Sequence, residues 1–210
     1  MKATMFAHSF SRLQTGAALI VCLLMLTMVL LLSISSAQIA LQEEKTSRNL
    51  MDRQLAFHAA EAALSDAELD IQASPDSEKS RSELFSTQGL SELAENIGFV
   101  CGAGIANRFL GVCLAVDDGG NPSWKRIDFL DATPLSMQSV PYGRFTGQEY
   151  QAGVGTFSEK TPRYLIEVIQ DKAPGQYTNQ QRYVYRITAI GFGMRQKTQV
   201  VLQTLYRRLD

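Results

Sequence analysis

The stretch Gly16–Gln42, GAALIVCLLMLTMVLLLSISSAQIALQ, carries no charged side chain. The segment that follows at residues 43–71, EEKTSRNLMDRQLAFHAAEAALSDAELDI, keeps a helical rhythm while it turns polar. About 20 helical residues cross a hydrocarbon core, so the 26 residues from Ala17 to Gln42 are long enough to span a membrane. Lys2 and Arg12 precede the run, and Glu43 and Glu44 follow it. That excess of cations on the N-terminal side predicts a cytoplasmic N-terminus, a single membrane pass and a bulk outside the cytoplasm, periplasmic or extracellular. Beyond Gln42 the spacing of Leu50, Phe57, Leu64 and Ile71 by seven, with Ala60 and Ala67 interleaved, predicts an amphipathic helix continuous with the apolar one. From about Ala17 to Ile71 such a helix is roughly 80 Å long, far more than a bilayer needs, so its second half must pack on something. Alanine at 56, 59, 60, 62, 63 and 67 makes thin faces that allow close approach. Ser74-Pro75 is expected to end the helix, because the residue before a proline is pushed out of the α region.

The partner for that second half lies at the other end of the chain. Arg163 to Gln170, Arg182 to Ile190 and Thr198 to Tyr206 alternate β-branched and aromatic residues with a period of two. They predict three antiparallel strands, with Pro174 and Gly175 in the first connection and Gly191 to Gly193 as a tight turn or bulge in the second. The sheet must cover one face, and the amphipathic helix is the available cover. The fold class expected is α+β: a long N-terminal transmembrane and amphipathic helix packed on a small antiparallel sheet. Residues 76–96 read as a serine-rich surface excursion, with a short helix around Leu90, Leu93 and Ile97 closed by Gly98. Beneath the glycine-rich stretch 101–141, Trp124, Ile127, Phe129 and Leu130 are the expected anchors.

Composition excludes several functions. A net charge of -1 gives no electrostatic footprint for nucleic acid. At 210 residues the chain fits one domain plus an appendage. Of the three cysteines, Cys22 lies in the apolar run as a small hydrophobe. Cys101 and Cys113 would close a short loop in an exported domain and are a disulfide candidate. The alternatives are two buried thiols, or a metal site that would want four ligands.

Three fates compete for the N-terminal segment. It reads as an uncleaved signal anchor, as a secretory signal peptide cut near Ser35-Ser36-Ala37, or as a short polar leader that ends in Gly16. The apolar run exceeds the 7–15 residues usual in a secretory signal. The stretch QTGAALIVCLLMLTMVLLL (residues 14–32) and the later RQLAFHAAEAAL (residues 53–64) resemble the N-terminal region of PilX-type minor pilins of type IV pili. More distantly they resemble the GspK pseudopilin of type II secretion. The C-terminal strands match the minor pilins more loosely.

The resemblance implies a prepilin leader at 1–16, cleavage between Gly16 and Ala17, N-methylation of Ala17, a transmembrane helix at 17–42, its amphipathic extension at 43–73 and a periplasmic pilin-like α+β head at 74–210. It implies a structural role in pilus assembly within an initiation or tip complex, in the service of adhesion, twitching motility or DNA uptake. The partners implied are other minor pilins, the major pilin, prepilin peptidase, the inner-membrane assembly platform, membrane lipid before assembly and a tip adhesin. Phe57, Glu61 and Leu64 fall in the family's helix motif, with Glu61 either ordering the helix against the head or a neighbour or standing as a solvated helix carboxylate. Most pilins carry a glutamate at the fifth residue after the cut, whereas this chain has Val21. The rival readings are a type II secretion pseudopilin and a membrane-anchored periplasmic binding module that never polymerises.

Little else suggests chemistry. With the leader removed His58 is the one histidine left, mid-helix among alanines, so no enzyme and no cofactor are expected. Asp117, Asp118 and Asn121 could offer oxygens to calcium, yet the string DDGGN lacks a calcium-loop spacing and reads more simply as a turn.

Overall fold

The computed structural model describes residues 15–86, 88–90, 92–93, 101–115, 121–153, 157–171, 182–195 and 197–208. Contacts divide the chain into two units, Met1–Asn49 and Leu50–Asp210. Helix α1 runs Thr15–Gln72, close to the ends expected from the sequence, and the amide of Ala73 still bonds the Leu69 carbonyl at 3.0 Å. In the first unit residues 16–49 are helical and exposed throughout. Thr27, Ser33, Ser35 and Ser36 each turn their hydroxyl back onto a carbonyl of the preceding turn. A helix that satisfies its own hydroxyls as well as its backbone presents no unpaired donor to hydrocarbon. It is long and apolar enough to cross a membrane.

The second unit is built on a five-stranded sheet. Strands β3 (Arg163–Asp171), β4 (Arg182–Phe192) and β5 (Gln199–Tyr206) form the expected antiparallel meander. Two short strands extend it at the β3 edge: β1 (Val112–Leu114), which runs parallel to β3, and β2 (Val140–Pro141), which runs antiparallel to it. The sheet is therefore mixed, and the parallel strand comes from the glycine-rich stretch where no strand pattern is legible.

Period-two alternation turns Tyr164, Ile166 and Val168 of β3, with Tyr185, Ile187 and Ala189 of β4, into one core with Ala63, Ala67 and Ile71 of α1. The face that α1 buries differs from the heptad stripe. It consists of Ala56, Ala59, Ala60, Ala63, Ala67 and Ile71, while Leu50 and Phe57 are exposed and Leu64 lies half-buried at the margin. Gly191 explains the choice. It sits inside β4, paired with Val200, and a Cβ added to it would overlap the Ala56 carbonyl and the Ala60 amide. Helix and sheet approach until backbone meets backbone, which only alanine and glycine allow. Gly191 thus serves close packing and not the turn expected for it, whereas Gly193 does open the β4–β5 turn, its amide bonding Thr198 at 2.8 Å.

The serine-rich stretch after α1 is a surface excursion only at first: residues 77–80 are exposed, whereas the segment that follows enters the core. A 3-10 turn at Ser82–Phe85 buries Leu84 and Phe85, and Leu90 and Leu93 complete the core. Each large apolar side chain sunk this way contributes about 1.5–3 kcal/mol. Phe85 meets Tyr185 edge-to-face at 5.5 Å, and the Tyr185 hydroxyl donates to the Phe85 carbonyl at 2.9 Å. Ile97, Gly98, Pro174 and Gly175 lie outside the described residues.

A second cluster covers the opposite face of β3, where Cys101, Cys113 and Leu165 are buried beneath Trp124, Ile127 and Phe129. Three of the four expected anchors pack there, and Leu130 is exposed instead. The short helix α2 (Ser123–Arg126) carries Trp124.

Candidate functional site

Two parts of the chain carry the candidate function: the exposed apolar helix of the first unit and the face of α1 that organises the head. Gly16, Ala17 and Val21 all lie in the first turns of α1 and are exposed. No acidic side chain occurs between Gly16 and Gln42, so nothing in that segment can neutralise an amine.

Along the head, α1 has two unlike faces. The outward one shows Leu50, Met51, Phe57 and Leu69, with Phe57 packed edge-on to His58 at 5.8 Å. Glu61 points outward beside His58, its Oε2 3.0 Å from Nδ1. Glu61 is thus a helix-surface carboxylate with a local partner, while Leu64 of the same motif touches the core.

The inward face carries three buried aspartates among its alanines, polar residues that an apolar periodicity does not mark. Asp52 accepts from the Met194 amide at 2.5 Å and the Thr198 hydroxyl at 2.6 Å, and so holds the β4–β5 turn. Asp66 accepts from the Gly143 amide at 2.7 Å and from the Thr146 hydroxyl, and so holds the turn after β2. Burial pushes the Asp66 carboxyl above its usual range, against the two hydrogen bonds that pull it down. Asp70 takes the Arg81 guanidinium, with Nη2 to Oδ2 at 2.6 Å, and the Tyr164 hydroxyl at 2.9 Å. Burial, and next the charge of Asp70, hold the Tyr164 phenol well above its ordinary range, so it stays a donor.

Arg81 extends the network, donating to the carbonyls of Arg108 and Leu110 at 2.9 and 2.6 Å and lying 3.6 Å over the Phe145 ring. The signal in the sequence was the spacing of the aspartates: Asp52, Asp66 and Asp70 share the alanine face. On the far side of the sheet Glu167, fully buried, accepts from the Ser123 amide and Arg186 Nε, both at 2.7 Å.

Cys101 and Cys113 are joined as a disulfide. The open alternatives of two thiols or a metal site give way to a covalent loop fastened to the outer face of β3. Asp117 and Asp118 lie outside the described residues, and Asn121 is exposed. Among the described residues no three acidic, histidine or cysteine groups come together as metal ligands. The structure holds an anchor helix, a head latched to its continuation and an outward apolar stripe.

Residues 15–65 match the family model "PilX N-terminal" and residues 109–208 match "Type IV pilus assembly protein PilX C-term". No curated protein and no solved structure matches the chain. The two matched segments take in α1 to Ser65 and the whole sheet. The chain accordingly belongs to the PilX family, as a membrane-anchored minor pilin of the type IV pilus that serves as a structural component and not as an enzyme.

Proposed function

We propose that the protein is inserted with its N-terminus in the cytoplasm, cut between Gly16 and Ala17, and placed once, in the initiation or tip complex of the pilus. In this reading residues 1–16 are the leader, 17–42 serve first as membrane anchor and then as fibre core, 43–73 carry the helix into the head, and 74–210 are the periplasmic head. Its partners are the other minor pilins, the major pilin, prepilin peptidase, the assembly platform and a tip adhesin.

The observation that carries the reading is Val21, in a segment with no acid from Ala17 to Gln42. A subunit joining beneath this one finds no carboxylate for its N-terminal amine, and an unpaired ammonium in a low-dielectric bundle costs several kcal/mol. This protein's own amine can still be paired by a glutamate of another subunit. Such an asymmetry suits a subunit with neighbours on one side only and penalises one repeated along a shaft.

Quantitative labelling of sheared pili tests it. A few copies at one end are expected, and many copies spread along the shaft would refute the placement.

A further inference from the structure

Where α1 gives way to the serine-rich segment, an open cleft of about 720 Å³ is lined by three stretches remote in sequence. One wall is residues 72–83; the other is formed by Ala106 and Arg108 together with Arg144 and Phe145. Three arginines, Arg81, Arg108 and Arg144, therefore line the same space together with Lys79. Among the described residues neither Arg108 nor Arg144 forms a salt bridge, whereas the other two cations that line the cleft do, Arg81 with Asp70 and Lys79 with Asp76. The two are nonetheless held. Arg144 donates through Nε and Nη2 to the Ile105 carbonyl at 3.2 and 2.8 Å, and its guanidinium lies 5.4 Å from the Phe145 ring. The loop that carries Arg108 is fastened from behind, since buried Arg81 donates to the carbonyls of Arg108 and Leu110.

Cations positioned by their surroundings and left without a carboxylate lower the ordering cost of taking an anion. The opposite wall limits what the anion can be. Glu78 and Glu83 line the same cleft beside Ser77 and Ser80. A small, densely charged anion such as phosphate would meet two carboxylates. A ligand with one negative group and many hydroxyls fits both walls, giving its carboxylate to the arginines and its hydroxyls to the glutamates and serines. The volume accommodates two or three sugar rings and little more.

We propose that this cleft is a binding site for an acidic saccharide, with Arg108 and Arg144 receiving a uronate-type carboxylate and Glu78 and Glu83 receiving ring hydroxyls. The site lies wholly on the head and does not depend on where in the pilus the subunit sits.

Titration calorimetry of the full mature chain, in a zwitterionic detergent without a sugar headgroup, tests the assignment with an aldotriouronic acid, a trisaccharide that carries a single uronate, as probe and xylotriose as its neutral counterpart. The aldotriouronic acid should bind and xylotriose should not. Loss of a charge-assisted hydrogen bond weakens binding by about tenfold, so Arg108→Ala and Arg144→Ala should each raise the Kd by about that factor. Arg53→Ala, on the exposed face of α1, should leave it unchanged. Arg108→Ala removes only an exposed guanidinium 5.6 Å from the Phe109 ring, so it keeps the test meaningful if Arg144→Ala loosens the loop at Ile105. Absence of aldotriouronic acid binding, equal binding of xylotriose, or an unchanged Kd in Arg108→Ala would overturn the proposal. Displacement of the aldotriouronic acid by an equal concentration of inorganic phosphate would overturn the saccharide assignment.

Discussion

Arg81 and Asp70 meet as a fully buried pair, with Nε 3.0 Å from Oδ1 and Nη2 2.6 Å from Oδ2. The two residues lie only 11 apart in sequence, yet the pair turns the chain back on the end of α1 and brings Leu84 and Phe85 into the core. Because Arg81 also reaches the carbonyls of Arg108 and Leu110, one guanidinium ties three segments together. Breaking a buried pair from one side costs about 3–5 kcal/mol, since the other charge is left unpaired. Arg81→Met should lower the stability of the head by that amount in denaturant titration. The double variant with Asp70→Leu should recover a large part of the loss, although Tyr164 then loses its acceptor. A single variant as stable as the parent would show that the pair does not hold this fold.

Gly191 gives the opposite sign to the usual rule. An alanine in place of a strand glycine commonly gains about 0.4–1 kcal/mol. Here the added methyl meets the backbone of Ala56 and Ala60, and overpacking of that sort costs about 1–3 kcal/mol. Gly191→Ala should therefore destabilise the head, and a rise in thermal midpoint would show that the helix can stand further from the sheet.

Asp66 makes stability depend on pH in a definite direction. Its folded carboxyl lies above the value of 3.8 that holds when the chain is unfolded, so the folded state binds the proton more tightly. Asp66 therefore favours folding most at pH below 3.8, and that contribution is lost as pH rises through the folded value. Asp66→Asn has no such dependence. Unfolding measured across pH should show the stability of the parent relative to Asp66→Asn increasing as pH falls from neutrality towards 4. A difference that stays flat or shrinks over that window contradicts the assignment.

The Cys101–Cys113 bond joins cysteines 12 positions apart on the outer face of β3. Restricting so short a loop in the unfolded chain contributes about 2–4 kcal/mol. Reduction, or Cys101→Ser with Cys113→Ser, should lower the unfolding midpoint accordingly. Alkylation of the unreduced head under denaturing conditions should label neither cysteine.

Leader removal is checked by intact mass. The membrane-derived protein should begin at Ala17 and carry an added methyl group, and Gly16 replaced by a bulky residue should leave the precursor uncut. A mature chain beginning at Gln38, or an intact Met1, would place the protein among secretory products or simple anchors.

The sequence by itself determined the apolar helix, its continuation to the end of the amphipathic stretch and the three C-terminal strands. Each is a local periodicity, enforced by burial on one face within a few residues. The tertiary structure decided which face of the helix is inward. The heptad Leu50 and Phe57 look like core, but the close approach of Gly191 leaves room only for alanine, so the large side chains turn outward. It decided as well that the aspartates are structural, because their partners lie far along the chain: Thr198 is 146 residues from Asp52, Thr146 is 80 from Asp66, and Tyr164 is 94 from Asp70. No short-range pattern encodes such pairings. A buried carboxylate is tolerable only where folding delivers its donors, and a lone aspartate on a helix reads as solvated until the rest of the chain has arrived.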